Sequence, residues 1–201
     1  MNINEVQIYL PKFLSAESTK ELFEGLKDFP NNIDSRLYTS YLQDEIIYQG
    51  DGLKNMLVIN LPNVNTKNVN CMVLSNTCDI DLSNKRFFSS QIIYTPIINL
   101  EKYKTFLLLK HENQKISEHI EEIKKQRITQ IFFLPKYGNL EESIVFLDRI
   151  NNISNKHIER QDLNNNRIFS LSDYGNYLFL LKLSLHFTRI QDKVERRSIR
   201  I

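Results

Sequence analysis

Glycine and proline are scarce, at five residues each in a chain of 201. A linker-rich or disordered protein would carry far more of both, so that class is excluded. Cysteine is scarcer still: only Cys71 and Cys78 occur. If 71–80 runs as one strand, the two point to opposite faces, with Cα atoms about 23 Å apart at strand rise. A disulfide needs less than about 7 Å, so both read as free thiols of a reducing, cytoplasmic compartment. An excess of one charge is also missing, because 26 Lys and Arg face 24 Asp and Glu, for a net charge of +2. Any affinity for nucleic acid must then come from a local patch.

Further absences narrow the chemistry. Met1 to Leu10 has no basic stretch leading into an apolar one, so no signal peptide is expected. The longest apolar-rich stretch, Tyr177 to Phe187, is broken by Lys182 and Ser184 and is too short to span a bilayer. No membrane association is expected. His111, His119 and His157 form no metal-ligand spacing with Cys or carboxylates, and Glu118-His119 lacks the second His of a zinc-binding helix. Gly50-Asp51-Gly52 lacks the Lys-Ser/Thr that completes a phosphate-binding loop. No metal and no cofactor are expected.

What remains is ordinary globular composition, 41% hydrophobic and 25% charged, enough for one full core. Residues 2–10 alternate weakly. Ser18-Thr19-Lys20-Glu21 has capping-box spacing, and Leu22, Phe23, Leu26 and Phe29 follow it at helical spacing, which predicts a helix over about 18–28. Candidate strands come next at 37–42, 45–48 and 57–61, with a sharp turn at Gly50-Asp51-Gly52. The polar stretch 63–70 reads as a loop, followed by a strand at 71–74. Phe87-Phe88 and 91–98 continue the strand-rich block, with Pro96 marking an edge or strand end. The period changes over 100–127, where Tyr103, Leu107, Ile116, Ile120 and Ile123 fit one or two helices. Strands follow at 131–134 and 143–147, around a Tyr137-Gly138-Asn139 turn. An Asn-rich polar stretch covers 151–166. A last helix over about 171–197 carries a Tyr174, Leu178, Leu181, Leu185 stripe, read as core or dimer contact. Many short strands with helices inserted and appended predict an α+β protein on a small barrel-like sheet.

The most concentrated chemistry lies at Leu74-Ser75-Asn76-Thr77-Cys78-Asp79, where an apolar run stops in five polar or reactive side chains. A strand ending this way delivers its groups to one sheet edge, where sites are often built. The same residues also suit a turn in which Asn and Asp cap the backbone and Cys78 packs as a small apolar residue. A Cys78 nucleophile would need an approaching His. His186 and Arg189 share a helix face three positions apart; together they suit phosphate chemistry, and separately they suit an ordinary helix edge. Arg189, Lys193, Arg196, Arg197 and Arg200 could bind phosphates or complement the helix dipole.

Several landmarks fall in a particular order. Gly50-Asp51 precedes a strand ending Leu57-Val58-Ile59-Asn60-Leu61-Pro62, Val73-Leu74-Ser75-Asn76 ends a later strand, and Tyr94-Thr95-Pro96-Ile97 ends another. Ser143-Ile144-Val145-Phe146-Leu147-Asp148-Arg149-Ile150-Asn151-Asn152-Ile153 comes last. Over about 46–160 this order resembles the MazF/PemK-type toxin family, whose fold is an SH3-like barrel. The resemblance implies a metal-independent endoribonuclease in which the RNA 2′-hydroxyl attacks the adjacent phosphate. The protein then assists proton transfer and stabilises phosphoryl charge. The family's Arg before the Leu-Ser strand matches Asn68 to Asn70, where Lys67 is the nearest cation. Its Thr or Ser after the Pro-Ile strand end matches Ile98. No family catalytic residue carries over.

The expectation is therefore one domain over 1–201: an N-terminal extension with a helix (1–45), an SH3-like barrel (46–165) with a helical insertion (100–130), and a C-terminal helix (166–201). RNA is the expected ligand, in a toxin–antitoxin or phage-defence setting, with an antitoxin or other protein partner and a homodimer as further expectations. Candidate catalytic residues are Ser75, Thr77, Asp79, His186 and Arg189. Candidate nucleic-acid contacts are Lys67, Asn76, Lys193, Arg196 and Arg197. The alternatives are a non-catalytic binding module on the same barrel and an unrelated enzyme using Cys78.

Overall fold

The computed structural model describes residues 16–42 and 45–188. The weak alternation at 2–10 lies outside them, as do Arg189, Lys193, Arg196, Arg197 and Arg200. The described strands are β1 Tyr38–Thr39, β2 Gly52–Asn60, β3 Asn63–Val73, β4 Gln91–Asn99, β5 Ile131–Leu134, β6 Ser143–Phe146, β7 Asn151–Ser154 and β8 Arg167–Leu171. The helices are α1 Ala16–Lys27, α2 Ile33–Arg36, α3 Thr77–Ile80, α4 Leu100–Leu108, α5 Asn113–Lys124, α6 Leu163–Asn166 and α7 Asp173–Thr188. The class is α+β, as expected.

The eight strands form one open antiparallel sheet in the order β1-β8-β2-β3-β4-β6-β5, with β7 also paired to β4. On that edge of β4, β7 takes Gln91 to Tyr94 and β6 takes Ile97 to Asn99. Pro96 falls between the two, where no amide is needed, so a residue read as a strand end sits inside a strand. The sheet curls. Past its short pairing with β8, the outer edge of β2 is met by side chains: Tyr94 Oη donates to the Leu57 carbonyl, and the Ile59 amide donates to Asn151 Oδ1 at 2.9 Å. The curl encloses one core of Ile47, Leu53, Met56, Cys71, Val73, Ile92 and Tyr94. A larger core lies between the sheet and the helices and holds Leu22, Leu37, Met72, Ile123, Phe132, Ile144 and Phe179.

Several expectations change here. Residues 63–70 are strand, not loop, because they zip against β2 with Val58 opposite Lys67 and Ile59 opposite Thr66. Phe87 and Phe88 lie in a loop, and the strand expected over 37–42 shortens to Tyr38–Thr39. Residues 45–48 are irregular, and the Asn-rich stretch contains β7, a short 3-10 turn and α6. The capping-box residues fall within α1, which begins at Ala16. Helix α7 buries Tyr174, Leu178 and Lys182, while Leu185 of the expected stripe is exposed. Among the described residues, no helix is long and apolar enough to cross a membrane.

A buried polar cluster locks the turn before β2. The Asp51 carboxylate accepts from Ser170 Oγ at 2.6 Å, the Tyr48 amide at 3.0 Å and Arg167 Nε at 3.1 Å. Arg167 also donates to the carbonyls of Leu42 and Ile46. Gly50 and Asp51 also join the turn to β3, with Gly50 N donating to Val73 O and Val73 N to Asp51 O, both at 2.9 Å.

Helix α7 is held to the α2–β1 connection by close contact. Ser172 Oγ caps it by accepting from the Gly175 amide at 3.0 Å. A Cβ on Gly175 would lie 2.1 Å from the Leu37 carbonyl oxygen. That oxygen already accepts the Ser172 amide at 2.9 Å, so it is not free to retreat. Gly175→Ala is expected to lower unfolding stability by about 2–3 kcal/mol, read from urea melts. A loss below about 0.5 kcal/mol would mean that α7 slides away from Leu37 without strain.

Candidate nucleic-acid interface

The strand end singled out in the sequence is a tight, fully bonded turn. β3 stops at Val73, and α3 adds a single helical turn. Asn76 is its N-cap, with Oδ1 accepting from the Cys78 amide at 2.9 Å. Ser75 Oγ accepts from the Ile93 amide at 2.8 Å, tying the turn to β4. Thr77 Oγ1 accepts from the Gln49 amide at 3.0 Å, and Gln49 Nε2 donates to Leu74 O at 2.7 Å. The Asp51 turn therefore positions the Ser75–Thr77 turn through its neighbour Gln49. Asp79 pairs with Arg86 at 2.5 Å, on an exposed surface.

Of the candidates, the structure brings Ser75, Asn76, Thr77, Cys78 and Asp79 together, as their sequence proximity dictates. It engages Ser75, Asn76 and Thr77 with backbone. Lys67 lies elsewhere, exposed on the β2–β3 ribbon. His186 sits near the end of α7 and makes an edge contact with Phe187 at 4.9 Å. Among the described residues, no hydrogen bond or ion pair joins His186 to the 75–79 turn. Cys78 is exposed and Cys71 buried, both free. Burial pushes the Cys71 thiol up to about 12. No histidine bonds to the Cys78 sulfur among the described residues, so the activating partner that a nucleophile needs is missing there. No group of three His, Cys, Asp or Glu able to hold a metal occurs among the described residues.

The loop that leaves α3 adds what the sequence reading missed. Phe87 is fully exposed and Phe88 is 69% exposed. They line a groove of about 340 Å³ together with Lys85, Arg86 and Lys156. The base of this loop is rigid. Asn155 is buried, and its Nδ2 donates to Ile80 O and to Ser90 Oγ, both at 2.8 Å, while its amide donates to Ser90 O at 3.0 Å. Arg160 braces Asn155 Oδ1 at 2.5 Å. Asp81 accepts from the Ser83 amide at 2.8 Å, and that bond holds its carboxyl below the usual range. Two ends are therefore tied down, and the exposed middle presents two phenyl rings beside Lys85, Lys156 and the Asp79-paired Arg86.

The Lys85-Arg86-Phe87-Phe88 run was the available signal. Its aromatic pair favoured a strand by propensity, and only the loop conformation turns both rings to solvent. No family model and no curated protein matches this chain.

Proposed function

We propose that this chain is a MazF/PemK-like protein that binds single-stranded RNA across the 81–90 loop. The observation that carries this reading is the exposed Phe87 and Phe88 beside Lys85, Arg86 and Lys156. Bases stack on aromatic faces without sequence preference, and cations follow the phosphates. The curl that brings β2 against Tyr94 of β4 and Asn151 of β7 supports an SH3-like barrel behind that loop. The bonded state of Ser75, Asn76 and Thr77 favours binding over cleavage at this face. A cytoplasmic toxin–antitoxin or phage-defence setting fits the same reading, with an antitoxin covering the exposed rings.

Fluorescence anisotropy with a labelled single-stranded RNA tests it. Binding should weaken as salt rises. The double variant Phe87→Ala/Phe88→Ala should bind about tenfold or more weakly, at about 1–3 kcal/mol per stacked base. Both rings are exposed, so the fold should be retained. Unchanged affinity in the variant would remove the loop from the interface. No binding at low salt would end the RNA reading.

A further inference from the structure

We infer that Tyr103, His119 and Arg149 form a phosphodiester site, in which Arg149 holds a phosphate and the Tyr103–His119 pair transfers the proton of RNA cleavage. This rests on the proposal that the chain acts on RNA.

The three residues come from two helices and the β6–β7 connection, which carries Arg149. Tyr103 stands on α4 and His119 on α5, and Tyr103 Oη lies 3.0 Å from His119 Nε2. The Tyr103 ring packs edge-on against Phe146 of β6, with centroids 5.7 Å apart. The Arg149 guanidinium carbon lies 4.0 Å from the centroid of the same Phe146 ring. Phe146 thus orients the tyrosine and the arginine at once. Burial raises the Tyr103 hydroxyl, and the charge of Arg149 acts on it in the opposite direction, so the two groups are electrostatically close. Burial also lowers the His119 imidazole below its usual value, which keeps it neutral near pH 7 and able to accept a proton.

An interhelical Tyr–His bond by itself is ordinary packing. Arg149 is what sets this cluster apart. It is exposed, and among the described residues its guanidinium makes no ion pair and no hydrogen bond. Asp148, its neighbour in sequence, accepts from Gln130 Nε2 and makes no ion pair with Arg149. A guanidinium stacked on a phenyl ring keeps its planar N–H fork free, the geometry that grips two oxygens of one phosphate.

The step balances within these groups. In the tautomer where His119 Nε2–H donates to the Tyr103 oxygen, Nδ1 holds a free lone pair. The 2′-oxygen attacks phosphorus, the P–O2′ bond forms and the P–O5′ bond breaks. The 2′-hydroxyl proton passes to Nδ1, and the leaving 5′-oxygen takes the phenolic proton of Tyr103. Nε2 then returns a proton to the phenolate. The products are a 2′,3′-cyclic phosphate and a 5′-hydroxyl, and exchange with water resets the tautomer. Arg149 stabilises the charge on the non-bridging oxygens throughout.

The test pairs cleavage with binding on the full chain. Single-stranded RNA is incubated with protein and chelator and the termini are mapped, while a 2′-deoxy substrate, which cannot be cut, reports affinity. Wild type should give cyclic phosphate ends. His119→Gln and Tyr103→Phe should each slow cleavage about 100-fold or more, with affinity for the 2′-deoxy strand within about threefold. Arg149→Ala should lose both rate and affinity, and Arg149→Lys should recover affinity better than rate. RNA that binds to wild type but stays intact would overturn this inference and leave the binding proposal standing, as would undiminished cleavage by His119→Gln. RNA that does not bind at all would overturn both.

Discussion

Asp51→Ala is expected to lower unfolding stability by about 3–5 kcal/mol, the range for breaking one side of a buried ion pair. Asp51 has no exposed surface, and burial alone raises its carboxyl above the ordinary range. Ser170, the Tyr48 amide and Arg167 bond to the charged form and offset part of that rise. The alanine removes the Asp51 carboxylate from Arg167, whose side chain is 6% exposed. It also removes the carboxylate that accepts from Ser170 Oγ and the Tyr48 amide. Part of the loss should be local, because Gly50 and Asp51 tie the turn to Val73 and Gln49 ties it to Thr77 and Leu74. Urea melts give the global loss, and hydrogen exchange at the Gln49, Gly50 and Val73 amides gives the local one. A loss under about 1 kcal/mol, with those amides still protected, would mean that Arg167 finds its counter-charge elsewhere.

That cluster also marks how far the sequence could be read. Asp51 and Arg167 are 116 positions apart, and no periodicity links an acidic turn residue to a basic residue opening the last strand. What was legible was local. Ile116, Ile120 and Ile123 announced α5 because each helical turn repeats its buried face. Ile131 to Leu134 read as a buried strand because all four residues are apolar. β3 failed the same test for a physical reason. Most of its first eight residues are exposed, in a ribbon that projects past the sheet, so no buried face imposes an alternation. The candidate site divides in the same way. The 75–79 cluster was visible as a cluster, and Asn76 as a capping residue follows from its place before a helical turn. The Tyr103–His119 contact crosses the break between two helices, sixteen positions apart, where helical spacing no longer predicts which side chains meet.

The second large effect comes from Lys182 and has a definite sign with pH. Lys182 is buried on α7, and its Nζ donates to the Gln126 carbonyl at 2.9 Å and to Gln126 Oε1 at 2.7 Å. Among the described residues no carboxylate pairs with it, and burial pulls its pKa down to about 7. In the unfolded chain a lysine titrates near 10.4. Between those values the unfolded state holds one more proton than the folded one, so the contribution of Lys182 to stability rises with pH, by about 1.4 kcal/mol per pH unit. Below about pH 7 both states are charged and the full penalty, about 4–5 kcal/mol, is present. Lys182→Met removes the titration and keeps the apolar stem. It also leaves the Gln126 carbonyl without its donor, while Gln126 Oε1 still accepts the Phe133 amide at 3.1 Å, so about 1–3 kcal/mol of the gain is offset. The variant should therefore be more stable than wild type near pH 7, and the two stability curves should converge and then cross as pH rises toward about 9.5. Half-buried Tyr38 and buried Tyr94 and Tyr174, raised by burial, add their own decline only above about pH 10, and equally in both proteins. Urea melts of wild type and variant at several pH values between about 7 and 9.5 read the difference in slope directly. Parallel curves would mean that Lys182 stays charged in the folded protein, held by its two Gln126 oxygens despite burial.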